Sequence, residues 1–279
     1  MYYASVGDNK DIKVLHMEKF KHKKSLGQNF LKDEQILKQI ADAIETSEID
    51  TIIEIGPGQG ALTKHLVQKP GFLFCYEIDE RVKQWLEPLE SDTTKVIWKD
   101  FLQVEIKEDI KANPKGKLYF IANLPYYITT PIIEKIIASK VGVEAMVFMV
   151  QKEVADRFSA KEGSKEYGSL TVYLNYYYEI EKLFNVSKTC FDPVPNVDSA
   201  VVKFTKRKEA FQVENEDFFF QFVQDAFHLK RKNLRNNLTQ YDLAKIEEIL
   251  ARHGLSLQSR AEQIPMEVFI ELANKLWNT

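Results

Sequence analysis

Cysteine is almost missing from this 279-residue sequence: Cys75 and Cys190 are its only two. Two thiols are too few for a disulfide framework or a cysteine-rich zinc site. Both lie in apolar surroundings, where a thiol packs as a small hydrophobe. Long apolar runs are missing as well. No stretch reaches the roughly eighteen residues that a membrane span needs, and the N-terminus MYYASVGDNKDIKVLHMEKFKHKK has no apolar signal-peptide region. The chain reads as soluble and cytoplasmic. Neither charge is in large excess: 38 Lys and Arg against 41 Asp and Glu leave a net −3. Any binding to nucleic acid must then come from local patches. His65, His228 and His253 are scattered without metal-ligand spacing, so no metal is expected. Internal repeats and low-complexity segments are also lacking.

What is there is apolar patterning, with 44% hydrophobic residues. TIIEIG (51–56), FLFCYE (72–77), KVIWKD (95–100), LYFIAN (118–123) and AMVFMVQ (145–151) are short and nearly continuous in apolar residues. That suits strands of a sheet covered on both faces. Helical spacing in ALTKHLVQK and DERVKQWLEPLE between them predicts βαβ units and a mostly parallel sheet. SLTVYLNYYYEI and SAVVKFTK read as further strands, antiparallel at one edge. After about Arg207 the period becomes helical, through EDFFFQFVQDAFHLKRKNLRNNL, DLAKIEEILARHG and PMEVFIELANKLW. Gly254 fits a helix C′ position and Pro265 a first turn. The phenylalanine run 218–227 reads as the packing face of this helical tail.

The chemistry gathers at the ends of the predicted strands. The first runs into EIGPGQGALT, which places Gly56, Gly58 and Gly60 at a strand-to-helix turn, where glycine permits tight geometry and close approach of a ligand. The dinucleotide pattern G-x-G-x-x-G differs by one residue. Glu77 ends the second strand, twenty-one positions after Gly56, as a carboxylate that receives ribose hydroxyls would. Asp100 ends the third. No P-loop Lys or Ser/Thr follows the glycines, so phosphate binding is not signalled. The fourth strand ends in NLPYY (123–127). Tyr126 offers a stacking surface for a planar base. The Asn123 amide oxygen and the Leu124 carbonyl, held out of the helical region by Pro125, offer acceptors for an exocyclic amine. Such acceptors would leave the amine lone pair more nucleophilic.

KKSLGQNFL (23–31), EIGPGQGALT (54–63), YEID (76–79), NLPYYITTPI (123–132), QKEVADRF (151–158), FDPVPNVDSAVV (191–202) and LKRKNLRNNL (229–238) follow in this order. Together, over roughly residues 20 to 275, the chain resembles the KsgA/RsmA family of 16S ribosomal RNA adenine-N6,N6-dimethyltransferases. The resemblance implies a class I S-adenosylmethionine-dependent methyltransferase fold: Rossmann-like, seven-stranded, mostly parallel, with a small all-helical C-terminal domain. It divides the chain into a partly basic leader (1–22), a methyltransferase domain (23–207) and a helical domain that contributes to rRNA binding (208–279). Met17 is a second candidate start within that leader.

The cofactor implied is S-adenosyl-L-methionine. The residues carried over to it are Asn29, Leu31, Gly56, Gly58, Gly60, Glu77, Ile78, Asp100 and Phe101, with Asn123 shared between cofactor and target. Asn123, Leu124, Pro125, Tyr126 and Phe191 form the implied catalytic set, with Tyr126 and Phe191 stacking on the two faces of the adenine. The implied target is a pair of adjacent adenosines near the 3′ end of 16S rRNA, within the 30S subunit or its late precursor. Nothing in the sequence demands an oligomer, and a monomer is expected. The chain has Asn196 where this family often has lysine, which removes one phosphate contact.

Two basic stretches are candidate RNA contacts: Lys23 and Lys24 in KFKHKK, and Lys230, Arg231, Lys232 and Arg235. The last stretch is predicted to be helical, with Arg231 and Arg235 on one face. Three rivals remain at this point. A large-subunit rRNA methyltransferase of the macrolide-resistance kind shares QNFL and an Asn-x-Pro-Tyr motif. VDSAVV and LKRKNLRNNL favour the small-subunit enzyme. A non-enzymatic binder would not need the intact NLPY and glycine loop. A dehydrogenase would bind NAD but lacks a catalytic dyad here.

Overall fold

The computed structural model describes residues 29–109 and 115–277. The leader 1–22 and the candidate contacts Lys23 and Lys24 lie outside the described residues. In chain order the strands are β1 (Phe30–Leu31), β2 (Thr51–Ile55), β3 (Phe72–Glu77), β4 (Thr94–Trp98), β5 (Leu118–Asn123), β6 (Val143–Gln151), β7 (Tyr178–Val186), β8 (Phe191–Asp192) and β9 (Ser199–Lys206).

Seven of them form one sheet in the order β4-β3-β2-β5-β6-β9-β7. The pairs from β4 through β6 are parallel, and β9 runs antiparallel between β6 and β7. The apolar runs divide by period two. Ile53, Phe120 and Phe148 face one core, and Ile52, Ile121 and Val147 face the other. Both faces are covered, which explains why the strands are apolar throughout rather than alternating. The chain order reverses between β2 and β5, and the crevice at their carboxyl ends is the expected ligand position in such a sheet.

The tail has its own core. Phe219, Phe222, Val223 and Ala226 of the helix Glu216–Phe227 pack with Ile246, Leu250, Phe269 and Leu272. Two expectations are corrected here. Residues Ser169–Tyr177, expected to be strand, form a helix, and β7 starts at Tyr178. This helix lies between the two bodies. Leu174 joins the sheet core, while Val172 and Tyr176 join the helical core. A helix apolar on both sides has no polar stripe, so its period resembles that of a buried strand.

The helix starting at Glu216 also ends at Phe227, earlier than its apolar period suggested. The buried Asn237 amide turns back against its end: Nδ2 donates to the Ala226 carbonyl at 2.7 Å, and Oδ1 accepts the Leu229 N–H at 3.1 Å. Asn233 then caps the short helix Leu234–Asn237. Arg231 therefore sits in a turn and Arg235 in a separate helix, so the two do not share a helical face.

Candidate functional site

The carboxyl ends of β2, β3 and β5, with the residues that follow β4, surround one cavity of about 300 Å³. Gly56, Gly58 and Gly60 all have positive φ (66°, 57° and 75°), which disfavours any side chain there. They differ in what they face. A Cβ on Gly56 would enter open space, beside the cavity. A Cβ on Gly58 would come within 2.6 Å of the Phe30 ring, so glycine lets the strap ahead of the sheet lie on the loop. Gly60, expected from the resemblance among the cofactor contacts, packs against Leu86 and Leu89 and does not line the cavity.

Glu77 ends β3 and is 6% exposed. Its Oε1 accepts the N–H groups of Ile78 (2.9 Å) and Asp79 (2.8 Å), and its Oε2 accepts that of Gly58 (2.9 Å). Burial pushes its pKa up, and the three donors act against that shift. Glu54 of β2 is a second buried acid that also lines the cavity. Burial raises its pKa to about 7, with the Cys75 thiol 3.5 Å away. Glu54 is not among the site residues expected from the sequence, although an acid inside an otherwise apolar strand is a visible signal.

Asp100 caps the turn after β4 by accepting the Leu102 N–H at 2.9 Å. Phe101 beside it is buried, edge-on to Tyr76 and Phe120 at 5.5 and 6.0 Å between centroids. Asp100, Phe101, Ile78 and Tyr76 all line the cavity. Tyr76 and Lys99 were not anticipated; their strand-end positions were the only cue. Lys99 is paired with Asp109 at 2.6 Å.

On the β5 side, Asn123 Nδ2 donates to the Asn29 carbonyl at 3.2 Å. That bond orients the amide and leaves Oδ1 as an acceptor. The Leu124 N–H is taken by the Met149 carbonyl at 3.3 Å. Tyr126 opens a 3-10 turn after Pro125, and its hydroxyl lies 2.9 Å from Ser199 Oγ. Burial raises the Tyr126 pKa, so the phenol stays protonated at neutral pH.

The strap and the FDPVP segment meet directly. β1 pairs antiparallel with β8, with Leu31 opposite Phe191, and both side chains are buried. Asn29, Leu31, Asn123, Leu124, Pro125, Tyr126 and Phe191 thus line the same cavity as Gly56, Gly58 and Glu77. Lys230, Arg231, Lys232 and Arg235 are exposed in the helical tail and do not line it. Among the described residues no helix is long and apolar enough to cross a membrane.

Comparison with known proteins agrees with this architecture. The chain is 43% identical to ribosomal RNA small subunit methyltransferase A of Geobacillus sp. (strain WCH70), over 96% of this chain and 98% of that protein. It is 42% identical to the protein of the same name from Listeria monocytogenes serovar 1/2a, over 94% and 93%. Among solved structures, the 23S rRNA methyltransferase ErmE superposes with a TM-score of 0.72 at 25% identity, over 88% of this chain and 99% of that one. A dimethyladenosine transferase from Plasmodium falciparum gives 0.73 at 25% identity, over 87% and 95%. The fold is that of class I S-adenosylmethionine-dependent methyltransferases. Residues 19–277 match the family model described as ribosomal RNA adenine dimethylase, and the chain belongs to that family.

Proposed function

We propose that this protein dimethylates N6 of two adjacent adenosines in the 3′-terminal hairpin of small-subunit (16S) rRNA. It would act as a cytoplasmic monomer on the 30S subunit or its late precursor. The observation that carries this reading is the oriented Asn123 amide, in one cavity with the strand-end acids and the Tyr126 and Phe191 rings.

S-adenosyl-L-methionine, when bound, supplies a methyl group on a sulfonium, already activated by a good leaving group. The cavity fits it: a Cβ-sized space is open at Gly56, and the Glu77 carboxylate keeps acceptor capacity for ribose hydroxyls beyond its three N–H donors. Asp100 and Phe101 would hold the adenine end, with Ile78 beside them, and Asn29 and Leu31 would close the strap. On the target side, Tyr126 and Phe191 would stack an extruded adenine. Each stack would contribute about 1–3 kcal/mol. Asn123 Oδ1 and the Leu124 carbonyl would accept the amine hydrogens and turn its lone pair out of conjugation. The chain then has no need of a strong base, and its contribution is positioning and polarisation. Lys230, Arg231, Lys232 and Arg235, with Lys23 and Lys24, would meet rRNA phosphates.

Likeness to the ErmE 23S rRNA methyltransferase supports a second reading, action on the large subunit. One experiment separates the two: labelled cofactor is incubated with unmethylated 30S and with 50S particles, followed by nucleoside analysis. Dimethyladenosine in 30S rRNA alone is expected. Label confined to 50S rRNA, or to neither, would end the small-subunit reading.

A further inference from the structure

Ser199 opens β9 and is completely buried, though it is polar. Its backbone is held on both sides, opposite Gln151 of β6 and Val186 of β7. The preceding residue is fixed as well: the Asp198 carbonyl accepts the Lys152 N–H at 2.9 Å, and its carboxylate accepts the Lys188 N–H at 2.9 Å. The Ser199 hydroxyl is therefore a rigid point inside the sheet. It is spent on one contact toward the cavity, the Tyr126 hydroxyl at 2.9 Å.

Tyr126 itself lies outside the sheet. It opens a three-residue 3-10 turn whose N-cap is Pro125, with no side-chain cap. The ring is joined to this turn through two side-chain torsions. A hydrogen bond at the far end of the ring fixes the direction in which the ring points, because the hydroxyl oxygen moves when the first of those torsions turns. The same segment supplies a second ring to the cavity lining, because Phe191 lies eight residues before Ser199 and is held by its pairing with Leu31.

We infer that Ser199 is a positioning residue that anchors the Tyr126 ring at the place required to stack the target base. The inference rests on the role given to Tyr126 under the proposed function. It explains why a serine occupies a fully buried site at the start of a sheet strand, where an apolar residue would pack without a polar group to satisfy.

The test uses the full-length protein with Ser199→Ala, Tyr126→Phe, their double variant and Tyr126→Ala. The readouts are kcat and KM on unmethylated 30S subunits, calorimetric affinity for S-adenosylhomocysteine, and thermal unfolding. Tyr126→Phe removes the same hydrogen bond without touching the sheet, so it stands if Ser199→Ala folds poorly. Ser199→Ala and Tyr126→Phe are each expected to lower kcat about five- to tenfold, with KM and S-adenosylhomocysteine affinity unchanged. The double variant is expected to be no worse than either single one. A double variant that loses the product of the two single effects would overturn the inference, as would wild-type turnover by Ser199→Ala beside an inactive Tyr126→Ala. Retained turnover by Tyr126→Ala would instead defeat the stacking role itself.

Discussion

In the cavity three polar side chains at the strand ends have already committed part of their bonding capacity to the protein. Glu77 holds three N–H groups, Asn123 leans on the Asn29 carbonyl, and Tyr126 is tied to Ser199. In the turn of the helical tail, Lys230, Arg231, Lys232 and Arg235 are exposed, and the turn takes its shape from Asn233 and Asn237. The first region fixes direction, and a small error in angle there costs rate. The second presents charge, which acts over a Debye length and tolerates imprecise placement. Substitutions in the two regions should therefore fail in different ways.

The largest effect is expected at the cavity. Asn123→Ala or Tyr126→Ala should lower kcat by more than about 10²-fold while thermal unfolding stays near that of the parent. If both variants turn over near normally, the directional half of the contrast is lost.

Glu54 gives the cavity a pH signature. Its pKa is raised by burial to about 7 from the usual 4.5, so the native state holds the proton more tightly than the unfolded chain does. Its contribution to stability is full below about pH 4.5 and is lost as pH rises through about 7. Relative to the parent, Glu54→Gln should gain stability on the order of 3 kcal/mol across that window. Denaturant melts at several pH values would measure this, and parallel curves for the two proteins would count against it.

In the tail, Asn237→Ala should cost about 1–3 kcal/mol by orphaning the groups at the end of the helix Glu216–Phe227. It should also weaken 30S binding while leaving cofactor affinity alone. Loss of cofactor binding by this variant would mean that the two regions are not separable. The smallest effect concerns the charges themselves. Replacing Arg231 and Arg235 by alanine should reduce the salt slope of RNA binding by about 0.7–0.9 for each phosphate left without its cation, with kcat at saturation retained. An unchanged slope would remove these residues from the interface.

The same contrast governs what could be read from the sequence. The parallel strands were legible because a sheet covered on both faces demands continuous apolar runs. Glu77, Asp100 and Asn123 stood out because they interrupt such runs at their ends, and all three line the cavity. Gly60 belongs to the same glycine motif but faces Leu86 and Leu89, a packing duty that a glycine pattern cannot distinguish from ligand approach. The helix Ser169–Tyr177 was hidden because the two cores it separates make both of its sides apolar. The shared face expected for Arg231 and Arg235 does not form because Asn237, through a tertiary hydrogen bond, ends the preceding helix. Ser199 lies in the segment FDPVPNVDSAVV, yet its partner is 73 residues away, beyond any local pattern.

The central claim is that one cavity holds a base between Tyr126 and Phe191 with its amine facing Asn123. A crystal structure with S-adenosylhomocysteine and adenosine bound together tests it most directly. The account predicts the adenine between the two rings, with N6 within hydrogen-bonding distance of Asn123 Oδ1 and turned toward the cofactor sulfur. Adenosine bound elsewhere, or with its amino group turned away from that sulfur, would contradict it.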